Sequence, residues 1–328
     1  MSKNPMSAVV LELGSYNCRG GFAGEETPKV TLKTEEIAQP FAATTRTIIN
    51  FDNYKKVVTT MYEKLAVSPS SCPVFISDCS MSSLESRQKI ANFFFEELNV
   101  PALFISSNFV YASVSTGFSN ALLVDMGDNS TEIAAISEGI FIKSSIVRHV
   151  VTGKVISKYL TSALKINREK ADDIKENLLE VPTDFDAAME EAQKPVVFKG
   201  TSIAQDRAIA AELYFKPFFA ELESDGIVED IKQSINCAPM TSRKQLWEHI
   251  ILMGGASKLK GLAQRLQTEV SEIAPPAFRS RVRVQVMEDP EICSWIGASV
   301  NASTHAEIAV TKEEYTNVPN VVRDKFMN

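Results

Sequence analysis

Two short stretches of the chain are apolar at nearly every position and end in an acid and a glycine. Ala8-Val9-Val10-Leu11 runs into Glu12-Leu13-Gly14-Ser15, and Ala121-Leu122-Leu123-Val124 runs into Asp125-Met126-Gly127-Asp128. Runs this short and uniform predict strands buried on both faces. Each is followed by a second strand-like run, Cys18 to Phe22 and Glu132 to Ile136, and then by a turn glycine. The chain thus carries two hairpins of one type, which predicts a duplicated architecture with a ligand between the halves.

Elsewhere the period changes to that of helices. Leu84, Ile90, Phe94 and Leu98 fall near one face of Ser83 to Asn99, a helix that Ser82 or Ser83 can cap and that Pro101 stops. Helices are also predicted from about Asp52 to Leu65, from Asn108 to Thr116, along Thr152 to Leu179, and from Leu259 to Val270. Val100 to Ile105 reads as a strand, and so does Ile250 to Met253, which runs into Gly254-Gly255. Strands alternating with helices, plus two hairpins, give an α/β fold.

Composition narrows the class. The 328 residues are 45% apolar and 23% charged, the make-up of a folded protein. At roughly 150 residues per domain they suffice for about two domains. Lys plus Arg is 34 against 41 for Asp plus Glu, a net charge of −7, which disfavours direct nucleic-acid binding. The cysteines Cys18, Cys72, Cys79, Cys237 and Cys293 are scattered, and His149, His249 and His305 are isolated, so neither a zinc site nor a disulfide framework is expected. The opening Met1 to Ser15 is broken at Glu12 and has no cleavage pattern, the closing Val321 to Asn328 has no lipidation box, and no run of about 18 apolar residues exists. The expectation is a soluble intracellular protein with reduced thiols and no membrane partner.

The hairpin turns carry the strongest chemical signal. Backbone N–H groups at a tight glycine turn form an anion-binding nest suited to phosphates. A carboxylate at the strand end can hold the water shell of a divalent cation on those phosphates. Met253-Gly254-Gly255-Ala256 adds a third place where backbone is laid open before a helix. Gly20-Gly21-Phe22-Ala23-Gly24 and Gly153-Lys154 fit neither a Walker A nor a GxGxxG motif and read as turns.

Taken in order, these blocks resemble the actin superfamily. Leu11-Glu12-Leu13-Gly14-Ser15, with Arg19-Gly20-Gly21-Phe22-Ala23-Gly24-Glu25-Glu26-Thr27-Pro28, is similar to the first phosphate loop and the run behind it. Asp125 to Thr131 resembles the second phosphate loop, and Asp173-Ile174-Lys175-Glu176 the adenosine-contacting helix. Ser242 to Leu246, Met253-Gly254-Gly255 and Ser294-Trp295-Ile296-Gly297 resemble the C-terminal blocks, so the likeness runs from about Val9 to Tyr315.

The resemblance implies the two-lobed α/β fold shared by actin, hexokinase and chaperone ATPases. The small lobe is expected at 1–115 plus 293–328 and the large lobe at 116–292, with nucleotide in the cleft and a reduced second subdomain. It implies ATP or ADP with magnesium. The nucleotide residues would be Gly14, Ser15, Tyr16, Asp125, Gly127, Asp128, Asn129, Gly153, Lys175, Glu176, Gly254, Gly255 and Ala256. Glu12 and Asp125 would face the metal through water.

The departures from the family pattern matter as much. Glu12 stands where conventional actin has Asp, Tyr16 where it has Gly, and Glu291 where it has Lys. Asn108 replaces the glutamine that orients the attacking water, and Glu132 replaces a histidine. A hydrolytic water has to be held within about 3 Å of its positioning group. Little or no ATPase activity is therefore expected, and the chain is read as an ATP binder and not an enzyme.

Lys29 to Asn50 is also too short for the small subdomain that carries the family's pointed-end loop. Cys237-Ala238-Pro239-Met240-Thr241-Ser242-Arg243-Lys244-Gln245-Leu246, with turns at Val67-Ser68-Pro69, Asn99-Val100-Pro101 and Glu138-Gly139-Ile140, most resembles the pointed-end actin-related proteins of dynactin. The implied role is a cytoplasmic, cytoskeletal pointed-end cap or anchor that does not form a homopolymer. Its implied partners are actin-related filament subunits and pointed-end dynactin subunits. Gly14-Ser15-Tyr16 with Ala274-Pro275-Pro276 resembles instead the nuclear actin-related proteins of chromatin remodelling and histone acetyltransferase complexes. A kinase of the hexokinase and chaperone group is a third class; it would need a catalytic base and a sugar pocket, and neither is found in the sequence.

Overall fold

The computed structural model describes residues 7–42 and 46–327; the expectations that touch Met1–Met6, Ala43–Thr45 and Asn328 lie outside them. The chain divides into two compact units, Met1–Phe118 with Ile292–Asn328, and Ser119–Glu291. Among the described residues no helix is long and apolar enough to cross a membrane.

The first unit opens with the predicted hairpin, β1 (Val9–Leu13) and β2 (Asn17–Phe22), paired antiparallel from Val9↔Phe22 to Leu13↔Cys18. Every residue of β1 is buried, as its uniform apolar run requires. β3 (Val30–Lys33) pairs with β2, and one helical turn, α1 (Thr34–Ile37), follows. α2 (Phe51–Leu65) starts where Asn50 accepts the Asn53 N–H, and it buries Tyr54, Val57, Val58, Met61, Tyr62 and Leu65 on one face. β4 (Val74–Asp78) and β5 (Ala102–Ser107) extend the sheet in parallel. Between them lies α3 (Leu84–Asn92), capped by Ser83 and continued by a wide π-helical turn at Phe93–Glu97. α4 (Asn108–Thr116) leads out, capped by Ser107.

The second unit is built around β6 (Ala121–Met126), β7 (Thr131–Ser137) and β8 (Ile140–His149), an antiparallel meander. The sequence predicts one helical run over Thr152 to Leu179; the structure breaks it into α5 (Gly153–Leu164) and α6 (Arg168–Asn177). The break has two causes. Lys165 turns left-handed at φ 53°, and Asn167 caps the next helix by accepting the Lys170 N–H. α7 (Phe185–Glu191), a small hairpin of β9 (Val196–Phe198) and β10 (Thr201–Ile203), α8 (Asp206–Glu212), α9 (Ile227–Cys237) and α10 (Arg243–Glu248) complete its middle. β11 (Ile250–Met253) then enters the sheet parallel to β6, followed by α11 (Leu262–Ile273) and β12 (Val284–Val286), for a strand order β12-β11-β6-β7-β8. Leu122, Val124, Ile133, Ile156, Leu160, Leu252 and Leu266 share the core of this unit, each contributing about 1.5–3 kcal/mol by burial.

The chain returns to the first unit with α12 (Cys293–Thr304), β13 (Val310–Thr311), α13 (Lys312–Asn317) and α14 (Val321–Phe326). β13 closes the first sheet in the order β13-β5-β4-β1-β2-β3. Trp295 on α12 is fully buried and donates its indole N–H to the Val10 carbonyl at 3.2 Å, which ties α12 to β1.

Candidate functional site

In the first unit Gly14-Ser15-Tyr16 forms the turn between β1 and β2. Gly14 donates its N–H to the Asn17 carbonyl at 3.0 Å. A Cβ on Gly14 would lie 2.5 Å from that oxygen, so the close approach demands glycine. Four successive carbonyls of this turn are held by the segment that follows β3. Thr34 gives its backbone N–H to Tyr16 at 2.9 Å and its hydroxyl to Gly14 at 2.7 Å. Gln39 Nε2 reaches the Ser15 carbonyl and Arg46 Nη2 the Leu13 carbonyl, both at 3.3 Å. In a trans peptide the C=O and the next N–H point to opposite sides. The Ser15 and Tyr16 N–H groups therefore face away from this clamp, as an anion nest requires.

Glu12 and Arg19 face each other on β1 and β2, both buried, with Oε2 and Nη1 3.4 Å apart. Asn108 is buried at the start of α4 in this same unit.

The second unit carries its own turn between β6 and β7. Gly127 donates its N–H to the Ser130 carbonyl at 2.8 Å. The first N–H groups of α5 are spent on this turn: Gly153 donates to the Gly127 carbonyl at 3.0 Å and Lys154 to that of Asp128 at 2.9 Å. β11 ends beside β6, in register Met253↔Asp125, and places Gly254 against the strand end. Gly254 sits at φ +83°, and a Cβ there would lie 2.6 Å from the Met126 carbonyl and 2.7 Å from Asp125 Oδ1. Only glycine combines that backbone with that contact. Asp125, Gly127, Asp128, Asn129, Gly153 and Gly254 are thus brought together, with Asn129 buried, while Gly255 is exposed and Ala256 half-buried just beyond.

A chain of charges runs from the turn into α6. Arg168 Nη2 donates to Asp128 Oδ1 at 2.6 Å and its Nε to Asp172 Oδ2 at 2.8 Å. Asp172 Oδ1 takes Lys175 Nζ at 2.8 Å and the Ser157 hydroxyl at 2.5 Å. Burial works against the Asp172 carboxylate, but Lys175, Ser157 and Arg168 outweigh it and hold its pKa below the usual value. Burial likewise disfavours the charge on Arg168, and Asp128 and Asp172 outweigh that, raising its pKa. Lys175 spends its remaining N–H groups on Ser157 Oγ at 2.8 Å and the Gly153 carbonyl at 3.3 Å. An ammonium has three N–H donors, so Lys175 fastens α6 to α5, and a ligand atom would have to displace one of these acceptors. Glu176 points out on the exposed side of α6.

Glu132 is buried on β7 and accepts from Arg148 Nε, directly opposite on β8, at 2.9 Å. The strand partner of Thr131 is His149, whose Nδ1 lies 2.7 Å from Asp230 Oδ2 on α9.

The second turn is tight, with the start of α5 seated on it and Gly254 packed against it; the N–H groups of Gly127, Gly153, Lys154 and Gly254 are taken by protein carbonyls, so a phosphate would have to meet other backbone groups of the turn. Glu12 carries Arg19, and Asp128 carries Arg168. Among the described residues no group of three or more His, Cys, Asp or Glu side chains is gathered as direct metal ligands, whereas a cation that sits on phosphates and keeps its water shell needs only one or two carboxylates.

Sequence reading missed Arg168, Asp172 and Ser157. The signal was present in part, since Arg168–Asp172 and Asp172–Lys175 are spaced i,i+4 and i,i+3 on a predicted helix.

A model of the family described as Actin matches the chain over residues 36–170 and 166–327. The second turn, α5, α6 and Gly254 fall inside the match, and the β1–β2 hairpin lies ahead of it.

Proposed function

The chain belongs to the actin family, with an actin-like fold of two sheet-bearing units, and on that premise we propose that it caps or anchors the pointed end of the short actin-related filament of dynactin. In this role it supports dynein-driven transport in the cytoplasm and does not polymerise by itself.

The observation that carries the proposal is the segment between β2 and α2. It holds β3, the single turn α1, and a bridge Phe41↔Ile48. Thr34, Gln39 and Arg46 of this segment are spent on the first turn's own carbonyls. In the family this region carries the loop that grips the next subunit at the pointed end. A head-to-tail filament needs two complementary faces on every subunit. A subunit with one of them reduced adds to a chain and does not pass it on. The Ser242–Leu246 and Ser294–Gly297 blocks, by contrast, keep the family's order.

Nucleotide binding belongs to the same proposal. The second turn, where Gly127, Gly153 and Gly254 keep the backbone bare of side chains, supports a nucleotide whose phosphates lie close to it, and Glu132, committed to Arg148, supports slow or absent hydrolysis.

Sedimentation under polymerising salt, with electron microscopy of any pellet, tests the proposal. The isolated chain stays in the supernatant, and added to a related filament it stops growth at one end. Ordered helical filaments of the isolated chain would overturn the capping role.

A further inference from the structure

We propose that the outer edge of β12 is a docking groove for a short extended segment of a partner protein, which adds to the sheet as a further strand and carries basic side chains at one end.

The register of β12 decides which of its backbone groups face outward. Arg283 donates its N–H to the Trp247 carbonyl and accepts the Ile250 N–H, and Met287 donates to the Leu252 carbonyl. Backbone groups of successive strand residues point to opposite edges. Arg283, Gln285 and Met287 therefore face β11, and Val284 and Val286 face away from it.

Gln267 on α11 already pairs with the first part of this outer edge. Its Nε2 donates to the Val282 carbonyl at 2.9 Å and its Oε1 accepts the Val284 N–H at 2.8 Å, as a neighbouring strand would. The next outward groups are the Val284 carbonyl and the Val286 N–H. Val286 itself lines a groove of about 510 Å³ between the end of β12 and the start of α11. The ladder that Gln267 begins thus runs on into open space.

The groove has the build of a peptide site, with a sheet edge on one wall and a helix on the other. Leu259 and Ala263 line the α11 side, Val286 and Met287 the strand side, and exposed Gln264 stands at the rim. Val286 is 38% exposed although it is apolar and β-branched. An apolar side chain of an added strand would cover it.

Charge selects the occupant. Glu288 and Asp289 follow β12 directly, and both are exposed. Lys258, the cation on the opposite wall, is paired with Glu291 at 2.9 Å. The acids Glu288, Asp289 and Glu291 thus outnumber Lys258 at this end of the edge. The other end begins with Arg281, paired with Glu248, and Arg283. Lys or Arg on the segment therefore belongs beside Glu288. The chain's own net charge of −7 disfavours a second copy as the occupant.

The test presents a phage library of random peptides, about twelve residues long, to the full chain and to Val286→Pro. Proline at this position costs the sheet no bond, because the Val286 N–H faces away from β11, but it removes the donor that an added strand needs. Selection on the unaltered chain should enrich peptides that combine apolar residues with Lys or Arg. A synthetic copy of a selected peptide should bind the unaltered chain about tenfold or more tightly than Val286→Pro, and Glu288→Lys should weaken it about threefold or more. Its binding should also slow amide exchange at Val286 about tenfold or more.

Equal binding to Val286→Pro, enrichment of acidic peptides, or no enrichment at all would overturn the proposal. If Val286→Pro does not fold, Ala263→Trp, which fills the groove from the helix side, makes the same comparison. Sedimentation equilibrium of the chain alone separates the remaining occupant. A monomer is expected, whereas a dimer abolished by either variant would give the edge to a second copy and overturn the partner reading.

Discussion

Arg148 Nε donates to Glu132 Oε1 at 2.9 Å across adjacent strands, and that pairing limits what Glu132 can do. A carboxylate that is buried and already bonded to a guanidinium is poorly placed to orient a water for attack. ATP hydrolysis should therefore run at least about a hundredfold below conventional actin assayed alongside it, the scale of a lost acid–base or water-positioning group. Phosphate release measured on both proteins decides this, and a comparable rate would refute it. Asn108→Gln with Glu132→His should raise the rate while costing about 1–3 kcal/mol of stability, because Arg148 loses its partner.

Neighbouring glycines should respond unequally to alanine. Gly254→Ala forces a left-handed φ of +83° on a side chain and brings Cβ to 2.6 Å from the Met126 carbonyl, whereas a Cβ on Gly255 meets nothing within 4 Å. Urea unfolding should show Gly254→Ala destabilised by about 1–3 kcal/mol or more and Gly255→Ala within about 0.5 kcal/mol of the unaltered chain. Equal effects would contradict the placement of the β11 end against β6.

The two hairpins were legible because their strands are apolar on both faces, and a uniform run needs no knowledge of its partner. β8 was not read as a strand. It carries Lys143, Ser144, Ser145 and Arg148, and its pairing with β7 shifts register between Ile133 and Ala135, so no clean alternation survives. The break between α5 and α6 was hidden because a non-glycine residue, Lys165, makes the left-handed turn. Site glycines could be picked out one by one from turn chemistry. Their electrostatics could not, because Glu12–Arg19 and Glu132–Arg148 meet only once the hairpin registers are known, and Arg168 lies 40 positions from Asp128.

Acid should weaken the attachment of α6. The Asp172 pKa is lower folded than unfolded, so its contribution to stability is full above the ordinary aspartate value of about 3.9 and is lost as pH falls through the lower folded value. Asp172→Asn should flatten this acid limb. Melting temperatures from neutral pH down to about pH 3 check it, with the two proteins converging at the acid end. Parallel curves would show that Asp172 is not the group responsible.

Thiol labelling should separate the cysteines. Cys237 is exposed, while Cys18, Cys72, Cys79 and Cys293 are buried. Burial pushes the Cys18 thiol up to about 11, despite its bond to Thr34, and raises that of Cys72 as well. At mildly alkaline pH Cys237 should react at once and the other four only on unfolding. Rapid modification of Cys18 in the native chain would show that the clamp on the first turn is open.

Affinity purification of the full chain from cells, read by mass spectrometry, tests the pointed-end role most directly. Recovery of actin-related filament subunits together with pointed-end dynactin subunits is the predicted result. Recovery of chromatin remodelling or histone acetyltransferase subunits in their place would contradict it.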